Sequence, residues 1–401
     1  MKHIYANAYL TLSAIAARTL AEGFLVRPSP CSVEMPLAIK KGASDSVETG
    51  VAYFSYPSPS NITLIVDHTE WASRGWTFQE QILSRRILYF TDQFLCFECG
   101  THSKVEHGSK DLTEGTLRLP RPQVGDELRV RRAKDIWQPE NIYQEWYWTV
   151  ENYTRRSLTY SEDRLPAISG LAHQFAQVIP DDVYLAGLWK KNLLAGLLWQ
   201  PTPTFKTQPS RYHAPSWSWA AFNGRVSFPN KHLTSAVDVL GVEVLVPGHD
   251  PYGRVTGGWL KLLAKLVPVS QLLREPKWDG WRYVEATEGD THVTRDVGKR
   301  VFQESASWSL ESAIMALPVG FQDFWITQHQ MFPPSDPRFN GRPSRVIQGL
   351  LLEPTGSHDE FVPEYRRYGY FKTNEGAIRE DGDWHGSIFA PTVPTTVITI
   401  V

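Results

Sequence analysis

Residues 71–90 read W-A-S-R-G-W-T-F-Q-E-Q-I-L-S-R-R-I-L-Y-F and decide the fold of the first part of the chain. Ser73 is a suitable N-cap for a helix, because its side-chain oxygen can accept a backbone N–H of the first turn. The residues of one helix face follow at helical spacing, namely Trp71, Gly75, Phe78 and Ile82. From residue 86 the pattern changes to R-I-L-Y-F, a short turn and Q-F-L-C-F-E-C, which predicts a hairpin. A helix followed at once by two antiparallel strands is therefore expected.

The segments around this stretch complete a first domain over residues 1–108. Residues 4–17 are mostly apolar, and the spacing of Ile4, Ala8, Leu12 and Ile15 predicts a buried helix. Residues 27–59 are rich in Pro, Ser and Gly and predict a long surface loop. Residues 109–138 are polar, are punctuated by Pro and Gly, and form the predicted linker.

The remaining chain changes from a helical to a strand period. Residues 139–200 predict a helical region with three apolar stretches, the second beginning with Pro166 in its first turn and the third covering 183–199. Residues 201–401 predict an antiparallel β-rich region, with strands near 237–246, 261–266, 347–352, 367–371 and 396–401. The predicted fold class is therefore α+β: helices plus a hairpin, a helical middle and an antiparallel β-rich C-terminal region.

The composition bears on location and partners. The 41 basic and 43 acidic residues give a net charge of −2, so a nucleic-acid partner is not expected. No apolar run reaches the roughly 18 residues of a membrane span. Three cysteines do not make a disulfide framework and favour a reducing compartment, so a cytoplasmic location is expected. The 15 Trp, 16 Tyr and 18 Phe predict an aromatic core, whereas rings exposed on one face would favour carbohydrate binding.

Glu80 is the candidate catalytic residue. A glutamate on an aromatic-rich helix, with Arg85 and Arg86 close in sequence, suits a general base or a carboxylate that binds a ribose. The competing interpretation is an ion pair that fixes the helix to the following strand. The sequence favours the ion pair.

Two further clusters contain the residue types of a metal site and of a hydrolase site, but both favour a structural interpretation. Cys96-x2-Cys99-x2-His102-x4-His107 contains zinc-ligand residue types. Two strand residues three positions apart face opposite sides, however, so small core cysteines are expected and neither a metal nor a cofactor is predicted.

His213 lies close to Ser216 and Ser218 in A-P-S-W-S-W-A, as a hydrolase would require. The chain lacks the G-x-S-x-G turn that exposes a nucleophilic serine. Trp217 and Trp219 instead alternate with the serines, which predicts a strand packed into the core.

Several of these segments together resemble one protein family. R-G-W-T-F-Q-E at 74–80, L-S-R-R-I-L-Y-F at 83–90 and, in the same order, P-S-W-S-W-A at 215–220 resemble the fungal heterokaryon-incompatibility (HET) domain and the extension common to larger HET proteins. Residues 1–12, 163–170, 349–354 and 365–369 resemble other parts of these proteins. The motif residues are Arg74, Gly75, Trp76, Gln79, Glu80, Arg85, Arg86, Trp217 and Trp219.

The resemblance implies a cytoplasmic fungal protein that acts with other proteins in nonself recognition and programmed cell death. HET domains are thought to be distantly similar to TIR signalling domains, some of which cleave NAD, so the resemblance also implies a TIR-like fold and an alternative role for Glu80 in NAD cleavage. An L-S-Y-x-W-G-like first block and the W-I-D-x-x-C-I-x-Q-like part of the second block have no counterpart here, whereas residues 1–12 resemble the helix that closes the second block. We therefore expect an N-terminally truncated, non-enzymatic HET domain without the central strands of a parallel sheet.

Overall fold

The computed structural model describes residues 2–17, 21, 23–25, 32–40, 47–55, 66–92, 94–99, 103–106, 139–202, 212–228, 234–268, 291–295, 314–326, 331–332, 344–359, 362–375 and 393–401. The chain divides into two compact units, Met1–Ile136 and Trp137–Val401. Both helices and strands are present, which confirms the α+β class. Within these ranges no helix is both long and apolar enough to cross a membrane. The predicted linker over 109–138 lies outside the described residues.

Unit 1 contains short helices and a small mixed sheet. Its helices are α1 (Lys2–Asn7), α2 (Glu70–Ser73) and α3 (Gly75–Leu83). Its strands are β1 (Thr11–Ser13), β2 (Ser32–Lys40), β3 (Val47–Ser55), β4 (Arg86–Phe90), β5 (Leu95–Cys99) and β6 (Ser103–Val105). The sheet order is β1-β4-β5-β6, and β2 pairs with β3 in a separate hairpin.

The predicted β4–β5 hairpin is confirmed, with antiparallel pairing from Arg86 opposite Cys99 to Phe90 opposite Leu95. The predicted helix before it is broken. Arg74 adopts an extended conformation (φ −84°, ψ 133°), so α2 ends before α3 begins. Thr69 and not Ser73 is the N-cap, since Ala72 N donates to Thr69 Oγ1 at 3.2 Å. Thr77 Oγ1 bridges the break by donating to the carbonyl oxygens of Trp71 and Arg74.

Two expectations for the N-terminal part are wrong. The buried helix over 4–17 is replaced by α1 and by β1, which pairs in parallel with β4. Backbone pairing with β4 decides the conformation of β1, in which Leu12 is 58% exposed. Ile4 of α1 is 68% exposed. The sheet therefore contains a parallel pair. Within the predicted loop over 27–59, β2 and β3 form nine antiparallel pairs, because runs such as V-A-Y-F favour strands.

Unit 2 begins with helices and continues into strands. Its helices are α4 (Pro139–Tyr153), α5 (Pro166–Val178) and α6 (Leu193–Gly196), with 3₁₀ turns at Ser161–Asp163, Lys190–Asn192 and Trp219–Ala221. Short strand pairs involve β7 (Tyr184–Leu185), β8 (Leu188–Trp189), β9 (Gln200–Pro201) and β10 (Val226–Ser227). The large sheet contains β11 (Thr234–Ser235), β12 (Asp238–Leu245), β13 (Gly257–Lys265), β14 (Val267–Pro268), β15 (Thr291–Arg295), β16 (Met315–Ile326), β17 (Met331–Phe332), β18 (Ser344–Asp359), β19 (Val362–Glu375) and β20 (Thr395–Ile400).

The large sheet of unit 2 closes into a ring. β16 pairs with β18, β18 with β19, β19 with β20 and β20 with β13. After Leu266 the chain continues as β14, which pairs back with β16 through Val267 opposite Ala316. The pairs are antiparallel except for β19 with β20, in agreement with the predicted antiparallel β-rich region.

The helical prediction for unit 2 is partly confirmed. α4 and α5 form as expected, with Pro166 at the start of α5, where its missing N–H costs no hydrogen bond. The third helix over 183–199 is wrong, because the chain turns sharply between β7 and β8. Ala186 and Gly187 have positive φ angles of 46° and 101° in this turn, which a helix cannot contain.

Candidate functional site

Glu80 lies in the C-terminal half of α3 and is partly buried. The Tyr5 hydroxyl of α1 donates a hydrogen bond to its carboxylate. Burial raises the pKa of Tyr5, and the charge and the hydrogen bond of Glu80 raise it further. The phenol therefore remains protonated at neutral pH and acts as a donor to the carboxylate. Glu80 thus connects α3 to α1.

The backbone of Glu80 connects α3 to the start of the chain by a second route. Its carbonyl oxygen accepts from Ser84 Oγ at 2.7 Å, and Ser84 Oγ lies 2.7 Å from Thr11 Oγ1 of β1. The Arg86 guanidinium lies 4.8 Å from the ring centroid of Tyr9 and donates to Tyr9 O at 3.4 Å. Arg86 therefore contacts the segment between α1 and β1. The ion pair between Glu80 and a neighbouring arginine stays a prediction.

The other motif residues of unit 1 differ in exposure. Gly75 is buried, Arg74 is exposed, and Trp76 and Arg85 are half-buried. Gln79 is 1% exposed, and its buried Oε1 has no hydrogen-bond partner among the described residues.

A buried chain of polar side chains, which the sequence did not predict, begins at Gln81 of α3. Gln81 Nε2 donates to the Tyr89 hydroxyl at 3.3 Å, and that hydroxyl donates to Glu98 Oε2 at 2.8 Å. All three residues are buried. The signal available in the sequence was the alternation of Tyr89 with Ile87 in β4, which places the tyrosine on the inner face.

The cysteines of β5 do not share a face. Cys96 is buried, and Cys99, three residues later, is half-buried on the opposite side. Within the described part of the chain, no three His, Cys, Asp or Glu residues lie together as metal ligands would. His102 and His107 of the weighed zinc pattern lie outside the described residues.

We expect the Cys96 thiol to resist an aromatic disulfide reagent at about pH 8 in a Cys31→Ser/Cys99→Ser variant. Burial raises the pKa of Cys96 to about 12, and the charges of Glu106 and Glu98 add to this effect. The reactive thiolate is therefore present at a fraction of about 10⁻⁴. The Cys31→Ser/Cys96→Ser variant, which keeps Cys99, serves as the reactive control. Equal reaction rates for the two variants under native conditions would contradict this.

In unit 2, Trp217 and Trp219 lie in an aromatic core and not on a strand. Both are fully buried, in a turn and the following 3₁₀ turn. The Trp219 indole donates to Gly187 O at 2.8 Å, and so does the indole of Trp146. Core packing is therefore confirmed and the predicted strand is wrong. The two rings are also unavailable for carbohydrate, while Trp259 is half-buried and donates to Glu243 Oε2 at 3.0 Å.

Two buried arginines complete this core. Arg367 lies 3.6 Å from the ring centroid of Trp199, and its guanidinium donates to Leu197 O and Trp199 O. Arg164 lies 5.4 Å from the ring centroid of Trp219 and donates to Gly224 O. Burial lowers the pKa of Arg164 to about 10, so it stays charged at neutral pH.

The serines beside His213 bond to the main chain. Ser216 Oγ donates to Val401 O and accepts from Arg367 N at 2.9 Å. Ser218 Oγ donates to Ala186 O and accepts from Ala220 N at 3.0 Å. Both hydroxyls therefore join segments that are distant in sequence, and neither is positioned as a nucleophile.

An open pocket of about 220 Å³ lies near these serines in unit 2. We call it the loop pocket. Its walls come from the 3₁₀ turn before α5, the segment before the tryptophan motif and the end of the β12–β13 loop. The lining residues are Ser161, Glu162, Tyr212, His213, Arg254 and Val255.

Comparison of the chain with protein-family models, curated proteins and solved structures found no match.

Proposed function

We propose that the chain is a HET-type signalling protein that acts in the cytoplasm during fungal nonself recognition and regulated cell death. In this role it works through contacts with other proteins and catalyses no reaction itself. The family assignment is supported by the quoted motifs, and the TIR-like fold of unit 1 remains part of the proposal. A parallel β1–β4 pair followed by the β4–β5 hairpin is compatible with it.

The observation that carries the protein-contact role is a group of exposed apolar side chains within residues 4–12, the segment that bonds to the Glu80 motif. We call it the N-terminal patch; its members are Ile4 (68% exposed), Tyr9 (81%), Leu10 (39%) and Leu12 (58%). Tyr5 bonds to Glu80 and Arg86 bonds to Tyr9 O, so the motif holds this segment in place. Grouped exposed apolar side chains are typical of protein-contact surfaces.

The segments of unit 2 that carry the resemblance also meet in space. Arg164 contacts the ring of Trp219, and Arg367 N donates to Ser216, so segments 163–170, 215–220 and 365–369 share one core. The motif residues act there by packing and by hydrogen bonding to the main chain. This packing and hydrogen bonding support a structural role for the motif residues of unit 2 and do not support a catalytic role.

The alternative is an NAD-cleaving enzyme in which Glu80 acts on the ribose. A partly buried carboxylate that accepts from the Tyr5 phenol is the observation that favours it, since such carboxylates can orient a sugar hydroxyl.

We expect expression of the full chain in a filamentous fungus to cause cell death that depends on the N-terminal patch and not on Glu80. A Tyr9→Ser/Leu12→Ser variant should reduce killing at least ~tenfold, because removing apolar anchors weakens a protein contact. Glu80→Gln should kill as the natural chain does, because the glutamine Oε1 can still accept the hydrogen bond from Tyr5 that holds the patch in place. Leu25→Ser, at a position that is 73% exposed and outside the patch, is the matched control.

The same proteins, once purified and incubated with NAD, separate the two functions. No nicotinamide release is expected from any of them. Nicotinamide release that Glu80→Gln abolishes would replace the proposal with the enzyme. Killing unaffected by the patch variant would remove the protein-contact role.

A further inference from the structure

The loop pocket carries a chemistry that the proposed signalling role does not use. One guanidinium, one carboxylate, one imidazole, one phenol and one hydroxyl line a cavity of about 220 Å³. Pockets with several convergent polar groups are the usual sites of small ligands. The volume is below the roughly 300 Å³ at which drug-sized ligands begin to fit, so a dinucleotide is too large.

The lining of the pocket includes charged residues of both signs, Arg254 and Glu162. Arg254 Nη2 donates to Asp163 Oδ1 at 3.1 Å, and Glu162 is the residue next to Asp163. Asp163 occupies one N–H of the guanidinium, which has five, so others remain for a ligand carboxylate. The carboxylate of Glu162 can then pair with a positive group of the same ligand. A zwitterionic ligand, which carries both an anion and a cation, matches a lining with both signs of charge.

The loop that carries Arg254 is held in place before any ligand arrives. Asp250 Oδ1 accepts from Tyr252 N at 3.0 Å and lies 3.4 Å from His173 Nε2 of α5. The ring of Tyr252 packs on the ring of His173 with centroids 4.1 Å apart. Gly253 N donates to Asp250 O at 3.2 Å and closes the turn. Arg254 therefore follows a turn that is anchored to a helix, which lowers the entropy cost of binding.

The remaining walls favour a ligand with an apolar body. Val255 and His213 are 6% and 8% exposed and form buried parts of the lining. Tyr212 presents a ring that is 56% exposed. Burial raises the pKa of Tyr212 to about 12, so its hydroxyl stays neutral and can donate. At protein packing density the cavity holds about ten non-hydrogen atoms.

We propose that the loop pocket binds a free α-amino acid with a medium-sized apolar side chain. Its carboxylate pairs with Arg254, its ammonium group pairs with Glu162, and its side chain packs against Tyr212 and Val255.

The test is calorimetric titration of the full chain with leucine and phenylalanine, compared with N-acetylleucine and leucinamide. The first analogue lacks the ammonium group and the second lacks the carboxylate. Saturable binding with a Kd of about 1 mM or tighter is expected for at least one of the two amino acids. Each analogue should bind at least ~tenfold more weakly, since it loses one of the two charge-assisted hydrogen bonds.

Variants locate the site. Arg254→Ala and Glu162→Gln should each weaken binding at least ~tenfold, whereas Lys190→Ala and Asp181→Asn, which alter exposed charges elsewhere in unit 2, should not. Asp163→Asn removes the ion pair with Arg254 but keeps the guanidinium, so binding should stay equal or become tighter. If Asp163→Asn weakened binding as Arg254→Ala does, the cause would be disruption of the loop and not loss of the guanidinium. Circular dichroism checks that every variant is folded. Absence of binding by both amino acids, or binding unchanged in both pocket variants, overturns the proposal.

Discussion

Replacing Gly187 by alanine is expected to destabilise unit 2 by about 3–5 kcal/mol, the sum of backbone strain and the loss of buried hydrogen bonding. Gly187 has φ = 101°, a conformation that L-residues rarely adopt. A Cβ atom there would lie 2.8 Å from Trp219 Cε2 and closer still to Nε1, so the indole must move. The Gly187 carbonyl also accepts the indoles of both Trp146 and Trp219 at 2.8 Å. One methyl group therefore disturbs the centre of the aromatic core.

Gly356→Ala is the matched control for this substitution. Gly356 also has a positive φ of 80°, but nothing lies within 4 Å of its Cβ position. It isolates the backbone strain, which costs about 1 kcal/mol. Denaturant unfolding followed by near-ultraviolet circular dichroism reports the packing of the buried tryptophans. If Gly187→Ala lowers the free energy of unfolding no more than Gly356→Ala does, the two indole hydrogen bonds to the Gly187 carbonyl do not stabilise the fold as we infer.

The same turn shows what the sequence could and could not predict. Helices α4 and α5 and the β4–β5 hairpin follow from periods that lie within a dozen neighbouring residues. Residues 183–199 are equally apolar and periodic, and yet they form β7, β8 and a short helix. The cause lies far away in the sequence. The indoles of Trp146 and Trp219 both donate to the Gly187 carbonyl oxygen, and no pattern within residues 183–199 indicates these hydrogen bonds. Likewise β1 is a strand because β4 lies beside it.

The candidate sites also combine features that the sequence predicts with features that it does not. Glu80 was found because one motif contains it, but its partner Tyr5 lies on another helix 75 residues earlier, and the hydrogen bond from Arg86 to Tyr9 O also joins distant segments. The loop pocket was not predicted at all, since its lining comes from residues near 161, 212 and 254. The turn residues G-H-D-P-Y-G at 248–253 indicate a tight loop. They do not reveal that the loop folds back onto α5 through His173.

Arg367→Met should cost about 3–5 kcal/mol in unit 2, because it removes a buried charge that satisfies two carbonyl oxygens. The guanidinium donates to Leu197 O and to Trp199 O, and it stacks 3.6 Å from the ring centroid of Trp199. Methionine keeps much of the apolar volume of the arginine side chain, so packing is largely retained. The loss of stability therefore reports mainly the lost hydrogen bonds. Both carbonyls then remain buried without this donor.

The neighbouring arginine of the same strand provides the control. Arg366 is exposed whereas Arg367 is 6% exposed, as alternation along β19 requires, so Arg366→Met should change stability by less than about 0.5 kcal/mol. Arg367→Lys separates charge from geometry, because a single ammonium group lacks the planar fork that reaches two carbonyls. It should fall between the natural chain and Arg367→Met in the free energy of unfolding. If lysine restores full stability, the positive charge over Trp199 is sufficient and the forked hydrogen bonding is not required.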